Sequence, residues 1–408
     1  MQNKPSADTI AAMLSTAIII ERTSIRLGGA ERSVSELAQE LKAQGVDAQI
    51  LAAAGKPGEN VSILCSEQDN HRTSLKTFEA AIEHHLSQNH YDIIHSTLPL
   101  GCADIYQPRG GSFKEAMLQN AASYSNPWVR LWKQKSHFLN FRRTAFLQAE
   151  SRLCADHQQT IIAALSDYVK QQFVRHYHLP ERRIAVIANG INPNRPADPQ
   201  KSQAFRRGIL DQVPAAIRDK AILLFFAATN FRLKGLREAI IALSKAIDHT
   251  PQCPAVIVAA GSNKISSYQR LAGQYRVSGR IVFCGPQQET ATAMTACDAA
   301  ILPSWYDPCS RFILEALATG KPVITTALNG ASEQYEAGRH GFIIQSPSDI
   351  DAMTKSIADL ANPDTIHRLT DNIVADGLKE RVSITRHVRQ LLDLYGIIID
   401  RKKGRHGS

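Results

Sequence analysis

Residues 306–323, YDPCSRFILEALATGKPV, gather several groups able to do chemistry within a short span. Asp307 lies in an Asp-Pro turn, Ser310 and Arg311 stand at a predicted helix entrance, and Glu315 falls early in that helix. Gly320 and Pro322 end the helix before an apolar run. A carboxylate is acceptor-only, so Glu315 suits the two hydroxyls of a ribose, each charge-assisted bond contributing about 1.5–3 kcal/mol. The amides of a helix entrance suit a diphosphate. The competing readings are local: Glu315 as a helix-dipole carboxylate facing water and Ser310 as an N-cap. On the functional reading the loop grips phosphates and the helix behind it grips the sugar ring of a nucleotide.

A second cluster is NFRLKG, residues 230–235, a polar loop between a predicted strand and helix. Arg232 and Lys234 are cations that could stabilise negative charge developing on a departing phosphate group. A surface Arg-Leu-Lys before a helix is the plainer alternative. Gly28 and Gly29 follow the first strand, where bare backbone can approach a phosphate or sugar, although turns need glycine anyway. Gly261 ends another strand and joins the same donor-side set. His95, after YDII, is a candidate acceptor-side catalytic group. Arg109 in YQPRGG is a candidate for orienting the acceptor, or a local salt-bridge partner. No GxGxxG follows a strand, which argues against a dehydrogenase. No metal site is expected: Asp349 and Asp351 read as cap and first-turn acid of a helix, and HExxH is absent.

These loops need elements to hold them. Short apolar runs alternate with helical periodicities in two successive series, the pattern of parallel sheets covered on both faces. AIIIE, DAQILAAA, YDII and TIIAAL read as strands of the first series, with Ser166 capping a following helix. AILLFFAA, PAVIVAAG, RIVFCG, AAILPS, KPVITTA and GFIIQ read as strands of the second. The expected division is a first doubly wound, Rossmann-like domain over residues 1–190 and a second over 200–382. A helix over about 383–400 returns to the first domain, and 401–408 is expected as a disordered tail. The candidate residues all follow strands, so they are expected at carboxyl ends, lining a central cleft.

A chain of 408 residues exceeds one ordinary core, and 44% hydrophobic with 21% charged residues is a globular composition. No run is long and apolar enough for a membrane span and no cleavable leader opens the chain, so a cytoplasmic location is expected. Cysteines 65, 102, 154, 253, 284, 297 and 309 are scattered and form no CxxC, which predicts free thiols. The formal charge of +9 concentrates in residues 109–146, where Arg109, Lys114, Arg130, Lys133, Lys135, Arg142 and Arg143 face one acid, Glu115. Trp128, Trp132, Phe138, Phe141 and Phe146 are interleaved. Such a segment can rest on an anionic membrane or grip an anionic substrate; equally, it is a solvated helix whose aromatics pack inward. No nucleic-acid-binding pattern stands out.

Taken in order along the chain, RLGGAERSVSELAQEL, DYVKQQFVRHYHLPERRIAVIANGI, NFRLKG and YDPCSRFILEALATGKPVITT resemble the retaining glycosyltransferases of family 4, which have the two-domain GT-B fold. More loosely, the chain is similar to lipopolysaccharide-core glucosyltransferases. The family usually has Glu where this chain has Asp307, Phe-Gly at Cys309-Ser310, and Gly at Ala228; Arg232 is the nearest match to the family's loop arginine. The resemblance implies transfer of a hexose from a nucleoside-diphosphate sugar, most readily a UDP-sugar, to a saccharide or lipid-linked acceptor of the cell envelope. It further implies retention through a front-face mechanism in which the leaving phosphate takes the acceptor's proton, with no metal or other cofactor. Two rivals keep the fold and change the chemistry, an epimerase and a phosphorylase. A third is a non-catalytic membrane-peripheral scaffold.

Overall fold

A computed structural model describes residues 14–24, 29–68, 72–135, 140–155, 159–194, 197–261, 264–287 and 289–406. The chain divides into two compact units. The first comprises residues 1–118, 131–191 and 384–408; the second comprises 119–130 and 192–383.

The first unit is built on a parallel sheet of β1 (Ser15–Arg22), β2 (Asp47–Ala54), β3 (Val61–Ser66), β4 (Ile93–Ser96), β5 (Ile105–Tyr106), β6 (Ile161–Ala164) and β7 (Ile184–Val186). Their spatial order is β3-β2-β1-β4-β5-β6-β7. Ile18 of β1 registers with Ile50 on one side and His95 on the other. Residues 17–20 of β1 are fully or nearly fully buried, which is why a sheet covered on both faces reads as a continuous apolar run. One face is covered by the helix Gly29–Ala43, through Val34, Leu37, Ala38 and Leu41, and by the helix Ile384–His406, through Val388, Leu391, Leu392, Tyr395 and Ile398. The other face packs against Leu75, Phe78 and Ile82 of the helix Leu75–Gln88, and Phe146 and Ala149 of the helix Phe141–Leu153. Ser166 does cap its helix, accepting from the Val169 amide.

The expected disordered tail is corrected. The final helix continues through Arg401 to His406, and Lys402 anchors it by donating to Asp104 Oδ2 at 2.7 Å and the Asp92 carbonyl at 2.8 Å.

The second unit holds β8 (Ile222–Ala228), β9 (Ala255–Gly261), β10 (Ile281–Gly285), β11 (Ala299–Leu302), β12 (Val323–Thr326) and β13 (Gly341–Ile344), in the order β10-β9-β8-β11-β12-β13. Both sheets run outward from their first strand to one edge, then resume beside it and run to the other. In the second unit that reversal falls between β8 and β11, and the loops leaving their carboxyl ends meet there. This is where open parallel sheets hold ligands.

Candidate active site

The loop after β8 folds back on itself before its helix. The Asn230 side chain accepts from the Leu233 amide at 3.2 Å, and the Leu236 amide donates to the Phe231 carbonyl at 3.0 Å. Gly235 closes the turn with φ of +79°, and a Cβ there would stand 2.0 Å from the Pro303 carbonyl oxygen. Glycine is therefore required both for the left-handed backbone and for the approach of the two loops. The Trp305 amide completes the junction by donating to the Leu233 carbonyl at 2.9 Å.

Across this junction Lys234 Nζ donates to Asp307 Oδ2 at 2.7 Å and to the Tyr306 carbonyl at 2.8 Å. Both side chains are largely shielded, 21% and 13% exposed, so the pair is held more firmly than a surface ion pair. Asp307 Oδ1 also accepts from the Cys309 amide at 3.2 Å. Asp307 is thus a lysine partner and a turn former.

The helix Arg311–Ala318 starts four residues later. Ser310 makes no side-chain cap, so the N-cap reading is corrected. The residue that reaches this terminus is Asn329, which is fully buried; its Oδ1 accepts from the amides of Ser310 (3.2 Å) and Ala331 (3.1 Å), while Nδ2 donates to Thr325 Oγ1 at 3.0 Å. The Asp307 amide donates to the Leu328 carbonyl, and the Gly330 amide donates to the Asp307 carbonyl. The 305–310 loop is therefore stitched to the loop after β12. Glu315, one turn into the helix, has Arg311 Nη2 at 3.9 Å and accepts from Thr290 Oγ1 at 3.3 Å. Thr290 opens the helix after β10, so the segments following β10 and β11 meet at this carboxylate.

Arg232 is aimed elsewhere than Lys234. Its Nη1 donates to the Asn120 carbonyl at 3.0 Å and to Ser123 Oγ, and its Nη2 donates to Asn120 Oδ1 at 2.9 Å. Its guanidinium lies 3.7 Å from the Tyr124 ring centroid. Gly261 has φ of +127°, and a Cβ would meet the Ala228 carbonyl oxygen at 1.9 Å, so that glycine is needed for close packing of neighbouring strand ends.

In the first unit, Gly29 opens the helix Gly29–Ala43, and Gly28 lies outside the described residues. Arg109, in the loop after β5, donates from Nη1 to Ser33 Oγ (3.0 Å) and Asn189 Oδ1 (3.1 Å). Loops after β5 and β7 thus meet the first turn of that helix. His95 is not presented at any surface: it is fully buried in β4, its Nδ1 2.6 Å from the Tyr395 hydroxyl. Burial, reinforced by the charge of Arg109, lowers its pKa to about 3 and keeps the ring neutral. This geometry ties β4 to the final helix and offers no contact with an acceptor, which corrects the catalytic expectation.

Asp349 caps its helix by accepting from the Ala352 amide, and Asp351 pairs with Lys245. Sequence reasoning missed Asn329, Thr290 and the 120–124 turn. It also missed Glu150, a fully buried carboxylate that accepts from the Tyr106, Tyr177 and Ser112 hydroxyls and from the Phe113 amide. The paired apolar-to-polar strand ends were the only hint of which loops meet.

Two doubly wound sheets, with cations and carboxylates gathered at the switch point of the second, define a GT-B glycosyltransferase. The family models agree: that described as Glycosyltransferase Family 4 matches residues 27–195, and that described as Glycosyl transferases group 1 matches residues 220–363. The chain belongs to the family 4 glycosyltransferases. It is 23% identical over 331 residues to the lipopolysaccharide glucosyltransferase WaaG of Escherichia coli, covering 78% of this chain and 82% of that relative. It is 26% identical to a D-inositol 3-phosphate glycosyltransferase of Streptomyces scabiei, covering 48% of this chain and 45% of the relative. Among solved structures, that of WaaG superposes with a TM-score of 0.72 at 17% identity, over 93% of this chain and 99% of WaaG. The Anabaena protein HepE in complex with UDP and glucose gives 0.65 at 17% identity, over 94% and 99%.

Proposed function

We propose that the chain transfers a hexose from a UDP-sugar to a saccharide or lipid-linked acceptor, with retention and without a metal ion, in the assembly of a cell-envelope glycan such as lipopolysaccharide. The observation that carries this reading is the junction of Lys234, Asp307 and the Arg311–Ala318 helix at the switch point of the second sheet. There a diphosphate would lie by the lysine and the helix terminus, and Glu315 would accept from the ribose hydroxyls. Fixed cations aimed at the departing diphosphate stabilise the transition state more than the ground state, which makes a divalent ion redundant. Gly28 and Gly29 are assigned to the donor, and Arg109, held by Ser33 and Asn189, to the acceptor. The WaaG relative, named for lipopolysaccharide, and HepE, solved with UDP and glucose, support the donor and acceptor classes.

The test is product formation from UDP-glucose, UDP-galactose and UDP-N-acetylglucosamine with envelope saccharide acceptors, with and without EDTA, and the product anomer read by NMR. An α-linked product formed equally in EDTA is expected. Conversion without acceptor marks an epimerase, and a requirement for free phosphate marks a phosphorylase; either result overturns the proposal.

We further place the protein at the cytoplasmic face of an anionic membrane. Phe146 is buried and stacks on Phe113 in the core, but Trp128, Trp132 and Phe141 are 78%, 57% and 88% exposed beside Arg130, Lys133, Lys135 and Arg143. A short basic helix with outward tryptophans is suited to an interfacial position. Among the described residues no helix is long and apolar enough to cross a membrane.

A further inference from the structure

Arg232 and Lys234 differ in how their charges are met. Lys234 has Asp307 as a direct counter-ion. Among the described residues, Arg232 pairs with no carboxylate: every partner is neutral, namely the Asn120 carbonyl and side-chain amide, the Ser123 hydroxyl and the Tyr124 ring. Those partners fix the guanidinium without an ion pair, although the buried Glu238 carboxylate feels its charge. They also fix which edge is presented. A guanidinium has five N–H donors; both on Nη1 and one on Nη2 are taken by Asn120 and Ser123. The Nε donor and the second Nη2 donor remain, and these form the fork that matches two oxygens of a phosphate. Tyr124 covers a face of the same group.

The turn that does this is itself secured. The Tyr124 carbonyl accepts from Arg130 Nε at 3.3 Å and Nη2 at 3.1 Å, and Ser123 Oγ donates to the Asn120 carbonyl at 2.6 Å. Arg130 belongs to the helix Pro127–Lys135 that carries the exposed tryptophans. The donor-loop arginine is thus oriented by residues more than one hundred positions earlier in the chain.

We propose that Asn120, Ser123 and Tyr124 are positioning residues for Arg232, a neutral clamp that presents a fully charged guanidinium edge to the donor's diphosphate. This rests on the donor reading above and goes beyond it, since it assigns the orientation of Arg232 to an upstream segment. Because the guanidinium's planar fork and ring stacking are what the clamp uses, lysine cannot replace it.

The test is a calorimetric titration of the purified full chain with UDP. Tyr124→Leu is expected to weaken UDP binding about five- to twentyfold, the range of a partly desolvated cation–π contact. Tyr124→Phe, which keeps the ring face, stays within about twofold of the parent. Asn120→Ala weakens binding in the same direction, and adding Tyr124→Leu to Arg232→Ala causes no further loss. Circular dichroism and melting curves establish that each variant is folded; should Tyr124→Leu fail to fold, Asn120→Ala and Tyr124→Phe carry the test. Unchanged UDP binding in Tyr124→Leu, or in Asn120→Ala where only that variant folds, overturns the clamp, as do independent losses in the double variant. A parent protein that binds none of UDP, GDP, ADP and CDP overturns the donor reading itself, and the clamp with it.

Discussion

Lys234 and Asp307 meet across the switch point of the second sheet, Nζ to Oδ2 at 2.7 Å, although they lie on loops from different strands. The lysine's second bond, to the Tyr306 carbonyl, holds it over the turn that leads into the Arg311–Ala318 helix.

On the proposed donor reading, removing Lys234 takes a charge-assisted contact from the diphosphate, so Lys234→Ala is expected to lower kcat/KM by about ten- to a hundredfold, equivalent to roughly 1.5–3 kcal/mol. Asp307→Glu keeps the ion pair and most activity, whereas Asp307→Ala leaves the lysine with the carbonyl alone and loses activity. Steady-state rates at varied donor concentration decide it. Full activity in Lys234→Ala would dismiss the junction as the donor site.

Asn329 joins two loops through three hydrogen bonds while fully buried. Asn329→Ala should destabilise the chain by on the order of 2–3 kcal/mol, because buried amides lose their acceptor. It should also weaken donor binding, since the loop entering the Arg311–Ala318 helix loses its tie. Calorimetric melting with and without UDP measures both. A variant that melts like the parent removes Asn329 from this role.

Glu150 gives the first unit a pH dependence of definite sign. Burial outweighs its four hydrogen-bond donors and pushes its pKa up to about 7, from an ordinary value of 4.5. As pH rises through that window the unfolded chain releases a proton that the folded chain keeps, so stability falls, by about 3 kcal/mol in total. Glu150→Gln lacks this titration. Urea unfolding at about pH 5 and about pH 8 should show a smaller difference for the variant than for the parent; equal differences would reject the assignment.

Trp128 and Trp132 point away from the core. Replacing both by Ala should reduce sedimentation with anionic vesicles severalfold while leaving transfer to a water-soluble acceptor unchanged. Undiminished sedimentation would separate these side chains from any membrane contact.

Much of the architecture was readable because buried parallel strands are short, apolar and punctuated by polar loops. β5 was not, being two residues long, and neither was β3, an edge strand with half-exposed residues. Lys234 and Glu315 could be picked out since the turn, helix and glycine signals around them are local. Asn329 could not, because an asparagine after a strand looks like any turn former until its partner nineteen positions away is known. Arg232 was identified as a cation, but its orientation depends on Asn120, and no periodicity links residues that far apart. His95 misled for the opposite reason: a histidine at a strand end reads as a site residue, and only the packing of Tyr395 reveals that this one is interior. The RKKGRH segment looked like a solvated tail because charge alone does not reveal the carboxylate and carbonyl that receive Lys402.

The final helix has a consequence for how the molecule is made. Val388, Leu391, Leu392, Tyr395 and Ile398 complete the core against β1, β2 and β4, yet they leave the ribosome after the whole of the second unit. Until then the face of the N-terminal sheet packed by the helix Gly29–Ala43 lacks the rest of its cover, while the later unit can already close. The order of synthesis is thereby the reverse of the order of completion, and a nascent chain stalled before residue 384 would be a substrate for chaperones.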